Sequence, residues 1–238
     1  VPAESFPKIE PRFPASYGGR INPEENDVND APKILAFAGS ARKDSWNKKL
    51  VNIAAIGAHA AGAEVTLIDL LDFPMPLYDG DQESEDGVPA NALKLRELML
   101  SHQGLLLASP EYNSSISPLL KNAIDWTSRP VDGSPGLAPY SGKVAALLST
   151  SPGGFGGLRG LVHVRAILGN IGVIVMPEQL AVGMAHEAFA ADGTMTNPKQ
   201  QAAVEELGAN LAKLLAKLHG LSLATESAER RHDLTRFR

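Results

Sequence analysis

The chain has 238 residues, 44% hydrophobic and 21% charged, enough to bury one substantial core with an appendage, and no apolar run approaches the roughly 20 residues of a membrane-spanning helix. A net charge of −5 lacks the Lys/Arg excess of a nucleic-acid binder. The absence of Cys removes disulfide scaffolds, thiolate zinc sites, iron–sulfur clusters and thiol nucleophiles together, so redox chemistry in this chain must reside in a bound cofactor.

Residues 1–32 hold six of the 17 prolines (Pro2, Pro7, Pro11, Pro14, Pro23, Pro32) and no helical period, which predicts an extended arm. No secretory leader pattern is visible there, and the expectation is a cytoplasmic protein without a membrane span. From residue 33 to 220 the pattern alternates. Short apolar runs at Lys33–Ala38, Glu64–Ile68, Gly104–Ala108, Lys143–Ser149 and Gly172–Val175 have the length of strands buried on both faces. Between them runs helical periodicity, through Trp46, Leu50, Ile53 and Ala54, then Leu95, Leu98 and Met99, then Leu119, Leu120, Ala123 and Ile124, then Leu161, Val164, Ala166 and Leu168. Val204, Leu207, Leu211, Leu214, Leu215 and Leu218 give the clearest helix. Alternation of this kind predicts an α/β, doubly wound parallel sheet covered on both faces. Residues 221–238 read as a charged tail.

In such a sheet ligands bind beyond the carboxyl ends of the strands. The loop after the first predicted strand, Gly39-Ser40-Ala41-Arg42-Lys43-Asp44-Ser45-Trp46-Asn47, joins hydroxyls, an amide and two cations to the start of a helix, where free N–H groups and the helix dipole favour a phosphate. An ordinary capped helix is the plainer alternative. After the third strand, Pro110-Glu111-Tyr112-Asn113 offers a π face beside polar groups, as a flat heterocycle needs, or else forms a surface turn. After the fourth, Ser151-Pro152-Gly153-Gly154 allows close backbone approach to a ligand, or is only a flexible turn. Taken together at one sheet edge, the three loops point to a phosphorylated planar cofactor.

Sharper motifs fail. Arg159 occupies the place of the last glycine in a G-x-G-x-x-G pattern that would begin at Gly154, and that stretch follows the wrong strand for a dinucleotide fingerprint. Gly142-Lys143 lacks the rest of a Walker A loop. Ser40-Ala41-Arg42-Lys43 fits S-x-x-K without its companion motifs, and the six histidines have no metal-ligand spacing.

On these residues the chain resembles the NADPH-dependent FMN reductase family, the flavodoxin-like group that includes chromate, quinone and azo-dye reductases. The resemblance covers roughly Lys33 to Leu218. It rests on Gly39-Ser40-x-Arg42-x-x-Ser45-x-Asn47-x-x-Leu50, on Pro110-Glu111-Tyr112-Asn113 followed by Leu120-Lys121-Asn122-Ala123-Ile124-Asp125-Trp126, and on Ser151 with Gly153 and Gly154. Pro76-Leu77-Tyr78-Asp79 is similar to a family loop at the site mouth. The chain departs from the family at Ser117-Pro118, which puts the proline in the first helical turn. The resemblance implies a flavodoxin-like five-stranded sheet of order 2-1-3-4-5 over residues 33–220. By position, Ser40, Arg42, Ser45 and Asn47 would hold an FMN phosphate. Pro110, Glu111, Tyr112 and Asn113 would line the ring, and Ser151, Gly153 and Gly154 would approach its pyrimidine edge. It further implies NADPH or NADH as co-substrate, a small-molecule electron acceptor such as a quinone, two-electron ping-pong turnover, and a homodimer or homotetramer. The competing expectation is a flavodoxin-like electron carrier indifferent to NAD(P)H.

Overall fold

Along strand β1 (Lys33–Ala38), Ile34, Ala36 and Ala38 point to one side and Leu35 and Phe37 to the other, and all five are buried. A strand apolar on both sides needs cover on both, and the chain supplies it. In the computed structural model, which describes residues 31–223, β1 is followed by α1 (Trp46–Ala60), β2 (Glu64–Leu67), α2 (Gly80–Asp86), α3 (Ala90–Leu100), β3 (Gly104–Ala108), α4 (Pro118–Thr127), β4 (Val144–Thr150), α5 (Leu158–Asn170), β5 (Ile174–Val182), α6 (Ala185–Ala188) and α7 (Pro198–His219). The predicted arm and tail lie outside the described residues apart from their innermost positions. The five strands pair in parallel in the order β2-β1-β3-β4-β5. This is the flavodoxin-like, doubly wound sheet expected from the sequence.

One core joins α1 and α7 to a sheet face through Leu50, Ile53, Leu106, Leu148, Leu207 and Leu211; the other joins α3, α4 and α5 to the opposite face through Leu95, Leu105, Ile124, Leu147, Leu161 and Leu168. Each fully buried Leu or Ile contributes about 1.5–3 kcal/mol relative to its exposed state. The α1/α7 pair is held closer than side chains would allow. A Cβ added at Gly57 would overlap the Glu205 carbonyl, and one at Gly208 would overlap that of Ala54, so two backbones touch where the sequence places glycine on each helix. That contact fixes the axis of α1, whose amino end faces the candidate site. Among the described residues no helix is long and apolar enough to cross a membrane.

Two differences from the sequence reading have clear causes. The apolar run expected to end β5 at Val175 continues to Val182, through Pro177. A proline in mid-strand argues against a central position, but β5 lies at the sheet edge and its register with β4 slips between Ala145 and Leu147, making a bulge. Arg165 of α5 fills this bulge, donating to the carbonyls of Val175 and Met176 and to the Gln179 side chain. The short helices α2 and α6 carry too little apolar period to be read from sequence; α2 (GDQESED) buries none of its residues.

At the amino edge of the sheet, Lys143 is only 7% exposed and its ammonium donates to the His102 carbonyl. Burial pushes the Lys143 pKa down to about 8. Burial also lowers the pKa of His102, whose ring bonds the Leu98 carbonyl and the Thr66 hydroxyl.

Candidate cofactor site

The parallel ladders run one residue past the strands on the carboxyl side. Gly39 N–H donates to Ala108 (2.9 Å), Ser109 N–H to Leu148 (2.9 Å) and Ser151 N–H to Val182 (3.2 Å), so the three predicted loops leave the sheet in fixed stagger. Four side chains then tie them to one another. Ser117, the N-cap of α4, donates from Oγ to the Gly39 carbonyl at 2.6 Å while accepting from Leu120 N–H. The Asn47 amide takes both sides of the Thr150 backbone, Nδ2 donating to its carbonyl at 2.9 Å and Oδ1 accepting from its N–H at 3.1 Å. Ser149 Oγ donates to the Ser109 carbonyl at 2.7 Å. Glu111 binds Arg159 Nε at 2.8 Å and the Gly160 N–H in the first turn of α5 at 3.1 Å. Burial works to raise the Glu111 pKa, but the bonds from Arg159 and Gly160 outweigh it and hold the carboxyl below its ordinary value.

These ties frame two adjoining clefts. The narrower, about 90 Å³, is walled by the α1 loop with Pro110, Glu111, Tyr112 and the Thr150–Pro152 backbone; the wider, about 340 Å³, continues from Glu111 and Ser151 past Asn113, Gly153, Phe155 and Arg159. The narrow cleft ends on the amino terminus of α1. Its N-cap Ser45 makes no side-chain cap bond, no acidic residue lies in the first turn, and among the described residues the Trp46 and Asn47 N–H groups have no protein acceptor. Arg42 lies 5.6 Å from the centroid of the Trp46 ring with no carboxylate partner among the described residues, and Ser40 is buried beside it. Unfilled donors, a helix dipole and a guanidinium without a carboxylate partner among the described residues make this recess fit for an anion. In the wider cleft a Cβ at Gly153 would meet only Ser151 Oγ at 3.9 Å, and beside it one at Gly154 would meet nothing. The missing side chains leave open space where a flat group can lie on the backbone.

The residues read from sequence therefore line the two connected clefts, with the exception of Gly154, which borders the wider one through its neighbours. Their roles divide. Asn47 contributes its N–H to the anion recess while its amide is spent on Thr150. Glu111 is a fastener between loop and helix. Tyr112 and Ser115 close a two-residue hairpin turn on Asn113 and Ser114, both with positive φ (51° and 63°), which leaves the Tyr112 ring exposed at the rim. The loop is thus a surface turn, and its Pro110, Glu111 and Tyr112 also line the narrow cleft. The motif Leu120–Trp126 lines neither cleft. Asn122 and Trp126 grip the Pro76 carbonyl, each at 2.8 Å, and Asn122 accepts from Tyr78 N–H, so this helix holds the Pro76–Asp79 loop. Thr150, Phe155 and Arg159 were missed. Arg159 carried a signal, since it is the first cation after the glycine-rich loop and stands in the opening turn of a predicted helix.

A flavodoxin-like sheet whose first helix turns free N–H groups toward a recess, beside a cleft lined by Gly153 and Gly157, fits the class of proteins that bind a phosphorylated planar cofactor at the carboxyl edge. Within that class the family is shown by comparison. Residues 32–187 match the family model of NADPH-dependent FMN reductases, and the chain belongs to that family. The family's description supplies the cofactor, FMN, and the reductant, NADPH, and makes the chain an oxidoreductase. An NAD(P)H-dependent FMN reductase of Pseudomonas aeruginosa is 34% identical over 194 residues, covering 81% of this chain and 100% of the relative. A quinone reductase of Escherichia coli is 35% identical over 149 residues, 63% of this chain and 76% of that protein. Among solved structures, the flavoenzyme NAD(P)H:(acceptor) oxidoreductase FerB from Paracoccus denitrificans superposes with a TM-score of 0.66 at 29% identity, over 78% of this chain and 98% of that one. An archaeal flavodoxin at 11% identity and a TM-score of 0.52 shares the fold.

Proposed function

We propose that residues 33–220 form an FMN-binding domain that passes two electrons from NADPH or NADH to quinones or similar small acceptors, one substrate leaving before the next enters. The observation that carries this reading is the meeting of an unfilled helix terminus and an Arg42 without a carboxylate partner among the described residues with a cleft lined by Gly153 and Gly157. FMN, when bound, supplies the hydride-accepting and electron-donating chemistry. The chain supplies the rest. Ser40, Arg42, Ser45 and the first N–H groups of α1 hold the phosphate. Pro110, Tyr112 and Asn113 border one side of the ring, with Glu111 fixing their loop, and Ser151, Gly153 and Gly154 offer the other. Backbone N–H groups along that second loop favour negative charge on a ring placed against them and thereby favour hydride acceptance. No side-chain acid or base is required.

Similarity to an FMN reductase and a quinone reductase supports the choice of cofactor and acceptor class. Leu158 and Val162, exposed one turn apart on α5, support assembly as a homodimer or homotetramer, and the use of NAD(P)H fits a cytoplasmic setting. The test is reconstitution. The protein should retain FMN through gel filtration, and anaerobic NADPH should bleach it with one equivalent per flavin. Failure to retain FMN at micromolar concentration refutes the reading, and FMN retained but inert to NADPH and NADH would favour the carrier.

A further inference from the structure

Phe155 is 69% exposed at the wall of the wider cleft, so a molecule entering that cleft meets a bare apolar ring. Its position is nonetheless fixed. Gly156 N–H donates to the Gly153 carbonyl at 3.1 Å, closing a four-residue turn with Phe155 near its tip, and Met184 N–H donates to the same carbonyl at 3.3 Å. Gly183 packs against the Gly154 carbonyl on the far side. The Arg159 guanidinium lies 5.4 Å from the Phe155 ring centroid, within cation–π range, and is itself held by Glu111, whose side chain is 7% exposed. A ring pinned at its root and backed on one face by an anchored cation, with most of its surface bare beside the cleft, is a preformed stacking plate. We propose that Phe155 is a specificity-determining residue that stacks on the electron acceptor and selects flat aromatic acceptors over compact ones. The proposal rests on the functional reading above and goes beyond it, because nothing in the FMN-holding loops requires an aromatic side chain at this position.

The test compares the FMN-loaded wild type with Phe155→Ala and Phe155→Tyr, using 1,4-naphthoquinone as flat acceptor and ferricyanide as compact acceptor. Loss of one aromatic stacking contact raises the naphthoquinone-to-ferricyanide ratio of KM values about tenfold in Phe155→Ala, through KM and with little change in kcat for the quinone, and Phe155→Tyr keeps the wild-type ratio. Calorimetric titration with naphthalene-2-sulfonate, which accepts no electrons, shows the same weakening without turnover. A KM ratio within twofold of wild type in Phe155→Ala, or an unaltered affinity for the sulfonate, overturns the proposal while leaving the functional reading intact. A wild type that neither retains FMN nor oxidises NADPH overturns both. Because Phe155 is largely exposed, Phe155→Ala should fold; equal urea midpoints for the three proteins confirm that the comparison is one of binding.

Discussion

Replacing Asn47 by Leu separates two roles that the sequence could not distinguish. The amide saturates the N–H and C=O of Thr150, a residue 2% exposed, and Leu of similar volume leaves both groups buried and unpaired. At about 1–3 kcal/mol for each of the two orphaned groups, the variant should lose roughly 2–6 kcal/mol of stability. That is a large share of the roughly 5–15 kcal/mol typical of a domain, yet compatible with folding at room temperature. Urea titration of the flavin-free protein measures the loss. The clamp also sets the distance between the anion recess and the glycine-floored loop, so both FMN and riboflavin should bind about tenfold or more weakly, by nearly the same factor, since a misplaced wall is felt by the ring as much as by the phosphate. A direct phosphate ligand behaves otherwise: its loss weakens FMN alone and spares riboflavin. Stability within about 0.5 kcal/mol of wild type, the scatter of ordinary surface substitutions, together with selective loss of FMN, would refute the clamp and restore the role read from the motif.

Arg42→Met should show that second pattern, weakening FMN by about 10–100-fold, the worth of a charge-assisted hydrogen bond, with riboflavin affinity unaltered; fluorescence titration of the two flavins reads the difference. Gly208→Ala gains helix propensity of about 1 kcal/mol but drives a methyl into the Ala54 carbonyl, so the melting temperature should fall, and a rise would show that the α1/α7 crossing yields easily. Lys143→Met tests linkage. The folded-state pKa, about 8, lies below the ordinary 10.5, so the buried ammonium costs stability in full below pH 8 and the cost fades as pH rises toward 10.5. Wild type should therefore gain on the variant by up to about 3 kcal/mol across that window in urea midpoints, and parallel pH profiles would contradict the burial argument. His102 faces the same ammonium, and its own lowered pKa should rise in the variant when followed by NMR.

The strand pattern was legible because three of the five strands, β1, β3 and β4, are apolar on both faces and bounded by loops, and the same runs fixed the topology once the family likeness was seen. Pro177 hid the second half of β5, since no local rule announces that a neighbouring helix will send Arg165 into a bulge. At the site, residue types were legible and allegiances were not. Ser40, Arg42 and the glycines could be read as ligands because free donors and absent side chains are local properties. The partners of Asn47 and Glu111 lie 103 and 48 to 49 residues away, so their work as fasteners appears only after folding. The Lys121–Trp126 motif shows the converse. It belongs to the most specific motif of the sequence, which begins at Pro110, yet its Asn122 and Trp126 side chains secure a distant loop rather than line the clefts.

The bulge in β5 bears on the solubility of the folded chain. A nine-residue strand at the margin of a sheet is a template on which a neighbouring molecule could add its own strand, the first step toward polymerisation. Here Pro177 withholds a donor midway, and Arg165 occupies carbonyls that an incoming strand would need. The margin is thus broken into two short stretches, which makes it a poorer template for an added strand.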